Sequence, residues 1–519
     1  MGRRARNGQS GVATGDKSRQ TGAALEPKPS ERRAFRHTKI ICTIGPACDT
    51  SHTLKRMASA GMNIARLNFS HGDHESHLMA VRRIKSLNQK LNHPVSMLVD
   101  LQGPEIRTGE LQTALELKVG ETFSLSVSPV ADPEERSVHV DYMSLVNDLK
   151  KGDKVTVDNG LINLEVLEVH ENRLICRVLD GGKLGSRKHI NLPGIRVNLP
   201  SITEKDRRDI QFAIKHELDF IALSFVRSPN DVLEARQIVE AGEANIKLIA
   251  KIENQEGVDN FSEILAVADG IMVARGDLGV EVDFRDLPVI QRRIVRECTR
   301  VGKPVIVATH LLESMRDAPM PTRAETTDVA NAVYEQADAI MLSGETASGK
   351  YPVRCIEVMD GIAKRIEREP GLGFYLDRKP VDAREEIARS ACRVADSLNA
   401  PAILVITRRG LLGQLVASYR PQRAIVYAFT NMSSVRRKLW LNRSVVPFVI
   451  DFSKNAEKTI QTALEKLAQR NRVMPGDPVV VITDVMGSSV SIPSIQVRRF
   501  GDAASTADET PPVVIPDPI

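Results

Sequence analysis

Two stretches decide the fold and the chemistry of this chain: LIAKIENQEGV (248–258) and VARGDLGVE (273–281). Each begins as an apolar run that predicts a buried strand, and each ends in charged residues. Lys251 and Glu253 alternate along the first strand, so both point to one face, and burying them without a function would be costly. Glu253 and Asp277 are suited to a divalent metal, and Lys251 is suited to a developing anion. The pattern indicates phosphate or enolate chemistry.

Outward from these stretches, apolar runs alternate with amphipathic helical segments. The runs that predict strands are 39–45, 63–69, 95–101, 220–226, 247–253, 271–277, 304–310 and 339–345. Eight buried parallel strands that alternate with helices predict an α/β fold, a closed (β/α)8 TIM barrel.

The alternation breaks twice, which predicts three domains. Short alternating runs between Gly/Asp turns follow the third barrel strand and predict an inserted β-rich domain with sandwich or small-barrel character. Strand–helix alternation resumes near the C-terminus and predicts an open α/β domain. The expected boundaries are a disordered basic arm (1–36), the barrel (37–104 and 200–369), the inserted domain (105–199), the C-terminal domain (370–500) and a disordered tail (501–519).

Composition excludes several classes of function. The formal charge is +5, and residues 1–36 alone contribute +6, so the rest of the chain is near neutral and nucleic-acid binding is not expected. The sequence contains no run of about 18 apolar residues, so no membrane association is expected. Six cysteines are scattered without a CxxC pair, which is typical of reduced thiols in a cytoplasmic protein.

Polar residues gather where the predicted strands end. In TIM barrels the chemistry lies at the C-terminal ends of the strands. Each residue alone has a structural alternative: Asp100 could cap the next segment, Arg66 could form a solvated salt bridge, and Thr309 could be an ordinary β-branched strand residue. Their occurrence at one end of every strand favours a shared site. The strand-end residues are Pro46, Arg66, Asn68, Ser70, Asp100, Ser224, Lys251, Glu253, Asp277, Thr309, Ser343 and Glu345.

These residues carry a resemblance to the pyruvate kinase family that extends over about residues 37–500. The matching segments are TKIICTIGPA (38–47), GMNIARLNFSHG (61–72), GPEIRTGEL (103–111), NLPG (191–194), LIAKIENQEGV, MVARGDLGVE, ESMRDAPMPTRAETTDVANAV (313–333) and DAIMLSGETASGKYP (338–352). The resemblance implies transfer of the phosphoryl group of phosphoenolpyruvate to ADP, giving pyruvate and ATP in the last step of glycolysis. It also implies that the inserted domain is a mobile lid, that the C-terminal domain is regulatory, and that the enzyme is a cytoplasmic homotetramer.

The resemblance also implies a role for each site residue. Glu253 and Asp277 would hold Mg2+ or Mn2+, with Lys251, Arg66 and Thr309 as the catalytic residues. Backbone N–H groups near Arg275 to Asp277 would cradle the substrate carboxylate. The implied substrate-binding set is Arg66, Lys251, Gly276, Asp277, Thr309, Ser343 and Glu345. The implied K+ ligands are Asn68, Ser70, Asp100 and Leu101, and the implied nucleotide-binding residues are Asn68, His71, Arg107 and Lys188.

Some positions depart from the common family pattern. Glu105 goes with K+ dependence, whereas Leu101-Gln102 resembles K+-independent relatives. His310 stands where Gln is usual. In the 407–412 loop, TRRGLL, Leu replaces the Ser/Thr residues with which many relatives bind an effector phosphate, although Arg408 and Arg409 could attract an anion. A later Gly/Thr-rich loop that also belongs to the effector site of relatives, the second effector loop, departs from the family pattern and reads TDVMGSSVSIPSI (483–495) in this chain. These departures leave open whether the C-terminal domain binds a phosphorylated effector.

Two other functions compete with this interpretation. A related phosphoenolpyruvate or pyruvate barrel could use the same metal–enolate site for aldol or C–P chemistry, but such chemistry needs no ADP site, which Arg107 and Lys188 would supply. A catalytically dead regulatory protein would not need Lys251, Glu253 and Asp277 intact. Pyruvate release in the presence of ADP distinguishes the three hypotheses.

Overall fold

The computed structural model describes residues 35–128, 136–195, 197–486 and 491–501. Nearly all of the predicted arm and tail lies outside these ranges. Arg36, the last residue of the predicted arm, is 8% exposed and donates hydrogen bonds to the carbonyl of Thr38 and to Asp360. Within the described ranges, no helix has the length and hydropathy needed to cross a membrane.

The first part of the barrel follows the predicted alternation. Its elements are β1 (Lys39–Thr43), α1 (Ser51–Ala60), β2 (Ile64–Asn68), α2 (His74–Asn88) and β3 (Ser96–Asp100). Thr50 and Asp73 cap the two helices by accepting hydrogen bonds from backbone N–H groups of the first turn, which satisfies donors that the helix itself cannot pair.

The inserted domain leaves the barrel after β3. Its elements are β4 (Ile106–Arg107), β5 (Leu115–Leu117), β6 (Thr122–Ser126), β7 (Ser137–His139), α3 (Leu145–Asp148), β8 (Lys154–Val157), β9 (Ile162–Val169), β10 (Arg173–Asp180), β11 (Gly182–Leu184) and β12 (His189–Asn191). Seven strands form a sheet in the order β4-β12-β8-β9-β10-β6-β7, and β5 pairs with β11. A bridge between Thr108 and Val140 links the two edges of the larger sheet, around a core of its own. The predicted small β domain is confirmed.

The chain then returns and completes the barrel. The remaining barrel elements are α4 (Glu204–Lys215), β13 (Phe220–Leu223), α5 (Pro229–Ala241), β14 (Lys247–Ile252), α6 (Gln255–Asp259), α7 (Phe261–Val267), β15 (Gly270–Ala274), α8 (Arg275–Glu281), α9 (Leu287–Val301), β16 (Val305–Ala308), α10 (Arg323–Tyr334), β17 (Ala339–Leu342), α11 (Gly344–Ala347) and α12 (Pro352–Ile366). The strands close in the order β1-β17-β16-β15-β14-β13-β3-β2, and all their pairings are parallel. The predicted TIM barrel is confirmed.

All eight predicted barrel strands extend beyond the observed strands at their C-terminal ends. The fourth ends at Leu223, the sixth at Ala274 and the seventh at Ala308. Beyond these points Phe225 and Thr309 adopt positive φ, and Arg275 begins α8. Four polar strand-end residues, Arg66, Asn68, Asp100 and Lys251, lie within their strands. The others lie on loops and first helical turns above the barrel, where side chains can converge.

The C-terminal domain contains a five-stranded sheet. Its elements are α13 (Ala383–Ser397), β18 (Ala402–Ile406), α14 (Leu411–Ser418), β19 (Ile425–Thr430), α15 (Ser433–Lys438), β20 (Val445–Val449), α16 (Ala456–Ala468), β21 (Pro478–Met486) and β22 (Ser491–Arg499). The order is β20-β19-β18-β21-β22, with β22 antiparallel to β21. The open α/β domain is confirmed, but the second predicted effector loop is partly wrong: 483–486 and 491–495 are paired strands, and 487–490 lie outside the described residues.

The C-terminal domain packs against the end of the barrel opposite the polar strand ends. Leu441 joins the apolar residues inside the barrel. Asp338, just before β17, accepts two hydrogen bonds of 2.7 Å from Arg420, and both side chains are 3% exposed. Lys39, at the start of β1, donates to the carbonyl of Val445 at 2.7 Å. Buried charged contacts thus fix this interface and leave the other end of the barrel for the site.

Candidate active site

Lys251 is the centre of a buried charge cluster at the C-terminal ends of β3 and β14. Its Nζ lies 3.1 Å from Oδ1 of Asp100 and 2.9 Å from Oε1 of Glu253, and it donates to Oγ of Ser224 at 2.6 Å. Lys251 is 8% exposed and Glu253 is fully buried. The alternation of Lys251 and Glu253 along the strand therefore places both in one cluster, as predicted.

The cluster keeps its lysine charged. Burial alone would lower the pKa of Lys251, but the attraction of Asp100 and then Glu253 outweighs burial and raises that pKa above its usual value. Burial also tends to raise the pKa of Asp100, yet Arg66 and Lys251 hold it below normal. For Glu253, burial is the larger effect and raises the pKa despite Lys251, with Asp277 adding to the rise. A cation that is held in a fixed position stabilises negative charge that develops beside it during a reaction.

Arg66 is fixed in the same cluster by two neighbours. Its Nε donates to Asp100 at 2.6 Å, and another guanidinium nitrogen donates to Oγ1 of Thr43 at 2.9 Å. Parallel pairing of β2 with β3 sets Asn68 beside Asp100. Asn68 accepts a hydrogen bond from the backbone N–H of Ser70 at 3.2 Å. Arg66, Lys251 and Asn68, which were all predicted for this end of the barrel, therefore lie around Asp100.

The other half of the site is built where β15 and β16 end. Oγ1 of Thr309 accepts a hydrogen bond from the backbone N–H of Gly276 at 2.8 Å and donates to the carbonyl of Ala308 at 2.7 Å. The guanidinium of Arg275 donates to the carbonyls of Ala308 and Thr309. Thr309 and His310 have φ of 66° and 55°, which is costly for a β-branched residue such as Thr309. These contacts hold the loop in that conformation.

The inserted domain meets the barrel at α8. Oδ1 of Asp277 lies 4.0 Å from Nδ1 of His189, and Asn191 donates to Glu281 at 2.8 Å. Asp277 is one-third exposed, and it is close enough to influence the pKa values of both Lys251 and Glu253. Asp277 therefore borders the cluster on the side that faces the inserted domain.

Glu345, one of the two residues predicted after β17, has a structural role. Glu345 is fully buried, and its carboxylate accepts from the backbone N–H groups of Ser343 at 2.7 Å and Leu312 at 3.2 Å. Burial raises the pKa of Glu345. Both of its oxygens bind backbone amides, so Glu345 ties the loops after β16 and β17 together.

The predicted nucleotide residues divide between the barrel and the inserted domain. His71 is exposed on the loop before α2, and its carbonyl accepts from His77 at 2.9 Å. Arg107 on β4 donates to Glu105 at 2.7 Å. Lys188, just before β12, lies 2.7 Å from Asp158. Antiparallel pairing of β4 with β12 brings Arg107 and Lys188 to one edge of the inserted sheet.

Comparisons with known proteins agree with this architecture. Residues 35–356 match the sequence profile of the pyruvate kinase barrel domain, and residues 385–496 match that of its alpha/beta domain. The chain belongs to the pyruvate kinase family. It is 43% identical to the pyruvate kinase of Geobacillus stearothermophilus over 476 residues, which is 90% of this chain and 81% of that one, and 40% identical to that of Bacillus licheniformis over 479 residues, which is 91% and 82%.

A solved structure is also similar. A pyruvate kinase from Cryptosporidium parvum superposes with a TM-score of 0.85 at 38% identity, covering 90% of this chain and 96% of that one. The family resemblance read from the sequence motifs is therefore confirmed, and the chain is a phosphotransferase of the pyruvate kinase family.

The cluster is chemically suited to the divalent cation that the sequence predicts. Oε1 of Glu253 is buried, and its neighbour in the cluster is Nζ of Lys251 at 2.9 Å. Asp277 supplies a second, partly exposed carboxylate next to it. Carboxylate oxygens are the preferred ligands of Mg2+. The donor set therefore fits Mg2+ or Mn2+.

Two members of the site were not expected from the sequence: Thr43 holds Arg66, and His189 approaches Asp277. Ser224 was expected near a strand end but without a role. It accepts from Lys251 and donates to the carbonyl of Leu101 at 2.7 Å. Thr43 and His189 carried no signal, because their roles depend on which strands and domains become neighbours.

Proposed function

We propose that this barrel transfers the phosphoryl group of phosphoenolpyruvate to ADP, giving pyruvate and ATP. The observation that carries the proposal is the buried ammonium of Lys251, held between Asp100 and Glu253. In the proposed reaction the bond between phosphorus and the enol oxygen breaks while a bond to a β-phosphate oxygen of ADP forms. Negative charge then develops on the transferring phosphoryl group and the enolate, and positioning and charge neutralisation supply most of the catalysis.

Two cationic side chains are proposed to bind the phosphoryl group during its transfer to ADP. Lys251 contacts the phosphoryl and enolate oxygens, and Arg66 contacts the phosphoryl oxygens. Their fixed positions support these roles, because Asp100 binds both cations and neither must reorganise during transfer.

The substrate carboxylate is proposed to lie against Gly276 and Asp277 at the start of α8. Ser343 completes the pocket. Glu345 acts as a positioning residue, since its oxygens bind backbone amides.

The proton that converts the enolate into pyruvate is proposed to arrive near Thr309. Its hydroxyl is hydrogen-bonded to Ala308 and Gly276, so it both orders the start of α8 and presents a polar group to the reacting carbon. His310, exposed beside it, stands where Gln is usual in the family and is proposed to adjust this proton path.

Cation requirements form a separate part of the proposal. Glu253 and Asp277 would hold Mg2+ or Mn2+, which when bound neutralises the phosphate and carboxylate charges of the substrate. Asn68, Ser70, Asp100 and the Leu101 carbonyl are proposed as K+ ligands. Support comes from the cross-strand pairing of Asn68 with Asp100.

The inserted domain is proposed to supply part of the ADP site. Arg107 and Lys188 lie at one edge of its sheet, and the ion pairs that they form with Glu105 and Asp158 can exchange for ADP phosphates when the domain closes over the barrel. Asn68 and His71 complete the nucleotide set from the barrel side.

The proposed organisation keeps the boundaries expected from sequence: barrel 37–104 and 200–369, inserted domain 105–199, and C-terminal domain 370–500. A homotetramer in the cytoplasm, and an anionic effector near the exposed residues Arg408 and Arg409, belong to the same proposal. Sedimentation measurements and a binding screen of sugar phosphates and AMP test these two features.

One assay tests the main proposal. Pyruvate release from phosphoenolpyruvate is measured with ADP and Mg2+, in K+ and in tetramethylammonium salts. We expect release that depends on ADP. Consumption of phosphoenolpyruvate without release of pyruvate would favour the competing aldol or C–P chemistry, which keeps the three carbons in another product, and no turnover in any mixture would favour a catalytically dead protein.

A further inference from the structure

An ion pair at the start of α4 faces the loop between β2 and α2, residues 69–73. Nζ of Lys205 donates to Oδ2 of Asp209 at 2.8 Å, one helical turn further along α4. The other oxygen of Asp209 accepts from Nε2 of His74, the first residue of α2, at 2.6 Å. An exposed pair at this spacing would contribute little, but Asp209 is 1% exposed. A carboxylate buried to that degree needs such partners, so α4, Asp209 and α2 are held together.

Lys205 also binds the backbone of the loop. Its ammonium donates to the carbonyl of Phe69 at 2.6 Å, and the N–H of Phe69 donates to the carbonyl of Asp100 at 2.9 Å. The ring of Phe69 is buried and stacks on His77, with 4.1 Å between the ring centroids. The carbonyl that Lys205 binds belongs to the peptide group that joins Phe69 to Ser70. Lys205 therefore sets the orientation of this peptide group.

The residues on both sides of Phe69 belong to the proposed ADP and cation sites. Asn68 and Ser70 are proposed K+ ligands, and Asn68 and His71 are proposed to bind the nucleotide. His71 donates its backbone N–H to the carbonyl of Asn68 at 3.2 Å, so the segment is a tight turn around the bound carbonyl of Phe69. Binding groups must be held within about 0.5 Å of their working positions. A cation that fixes the middle of this turn therefore influences the groups on both sides of it.

The same turn of α4 holds the loop after β3. Oδ1 of Asp206 accepts from the backbone N–H of Gly103 at 3.1 Å, and its Oδ2 accepts from Thr203, which caps α4. The loop after β3 begins at Leu101, whose carbonyl is a proposed K+ ligand. Two successive residues of α4, Lys205 and Asp206, thus bind the two loops that carry the proposed ligands. This arrangement favours a role in the site over an ordinary helix-surface ion pair.

We propose that Lys205 is a positioning residue for ADP: it orients the turn that carries Asn68 and His71, and Asp209 holds its ammonium in place. Lys205 acts through the backbone of Phe69 and not by contact with the nucleotide. The inference rests on the proposed function, because the residues that Lys205 positions are those proposed to bind ADP.

Phosphoenolpyruvate provides an internal comparison for the test. It is proposed to bind at Lys251, Arg66 and Gly276, none of which bonds to α4 among the described contacts. Loss of Lys205 should therefore change the KM of ADP far more than the KM of phosphoenolpyruvate, whereas a general loss of stability would not distinguish the two substrates.

Three variants of the full chain carry the test. Lys205→Met removes the donor to Phe69 and keeps the length of the side chain, and Lys205→Arg keeps a charged donor. Lys215→Met, the matched control, makes the same change at the exposed C-terminal end of α4. Isothermal titration with MgADP gives the affinity without turnover, steady-state rates give both KM values, and hydrogen exchange of 69–73 reports on the loop. Circular dichroism gives the folded fraction.

We expect Lys205→Met to raise the dissociation constant and the KM of ADP by about tenfold, because a hydrogen bond from a charged donor is lost, and to speed exchange in 69–73. The KM of phosphoenolpyruvate should change by less than about twofold. Lys205→Arg should recover most of the ADP affinity, and Lys215→Met should bind ADP as the unaltered chain does. Normal ADP affinity in Lys205→Met, or equal effects of Lys205→Met and Lys215→Met, would overturn this inference alone. No binding of MgADP by the unaltered chain would overturn the nucleotide part of the proposed function and this inference with it.

Discussion

The two buried lysines of the barrel allow a matched test of catalysis by Lys251. Lys251→Met removes the cation between Asp100 and Glu253. Lys39→Met makes the same change at the other end of the barrel, where a lysine that is 1% exposed donates to Val445. The electrostatic surroundings differ: burial lowers the pKa of Lys39 well below normal, whereas carboxylates raise the pKa of Lys251 despite burial.

The expected loss of rate follows from the distances. At about 3 Å, and with an effective dielectric constant of about 20, each ion pair of Lys251 has a gross attraction of roughly 5 kcal/mol. A cation that gains a comparable interaction with charge developing in the transition state contributes at least about 4 kcal/mol, which is about a 10³-fold change in rate. We expect Lys251→Met to lower kcat by about 10³-fold or more. For Lys39→Met we expect a change of less than about tenfold, because no reacting atom lies near it.

Stability has to be measured beside rate. Breaking the buried ion pairs of Lys251 costs about 3 to 5 kcal/mol, and Lys39→Met removes the donor to the buried carbonyl of Val445, so both variants should unfold at lower temperature. Pyruvate release at saturating phosphoenolpyruvate, ADP and Mg2+ gives kcat, and circular dichroism at the assay temperature gives the folded fraction. Lys251→Met with kcat within tenfold of the unaltered chain, or equal losses per folded molecule in the two variants, would refute the role of Lys251.

Three further predictions follow from other contacts. Thr309→Ala should lower kcat by about 10² to 10⁴, whereas Thr309→Ser keeps the hydroxyl and should retain most activity; deuterium uptake at the methyl carbon of pyruvate isolates the proton step. Asp338→Asn should destabilise the chain by about 3 to 5 kcal/mol because it breaks a buried pair, whereas the exposed pair partner Glu357, changed to Gln, should cost less than about 1 kcal/mol in thermal unfolding. Burial lowers the folded-state pKa of His93 to about 3; since the unfolded form binds the proton more tightly, stability should fall as pH drops from about 6.5 towards 3, and His93→Phe should reduce that slope by up to about 1.4 kcal/mol per pH unit.

The barrel was predictable because its strands are continuous apolar runs, a pattern typical of parallel strands buried on both faces. Lys251 and Glu253 were predictable for a related reason: charges at alternate positions of such a run must share one face. The antiparallel strand β22 was not predicted, because 491–499 carry mixed polar and charged residues that fit an edge strand as well as a loop.

The role of Glu345 shows why strand-end positions alone do not give function. The sequence placed it beside Ser343 at a strand end, where a substrate contact was expected. The structure turns its carboxylate onto the backbone amides of Ser343 and Leu312. Which amides lack partners depends on where two loops from different strands meet, and a linear pattern does not contain that information.

Side-chain contacts with the backbone also hold the loops of the site in their conformation. Phe225 holds a positive φ and donates its backbone N–H to Glu253 at 2.7 Å. Thr309 holds a positive φ beside Arg275, which binds its carbonyl. Each strained position costs about 1 to 3 kcal/mol and persists only where surrounding contacts fix it. Glu253 fixes the backbone of Phe225 and also carries the oxygen suited to a metal, so a substitution of Glu253 should perturb loop geometry and metal binding together. The side chain of Lys251 bonds only to other side chains of the cluster. A substitution of Lys251 therefore tests the electrostatic contribution with less change of the backbone.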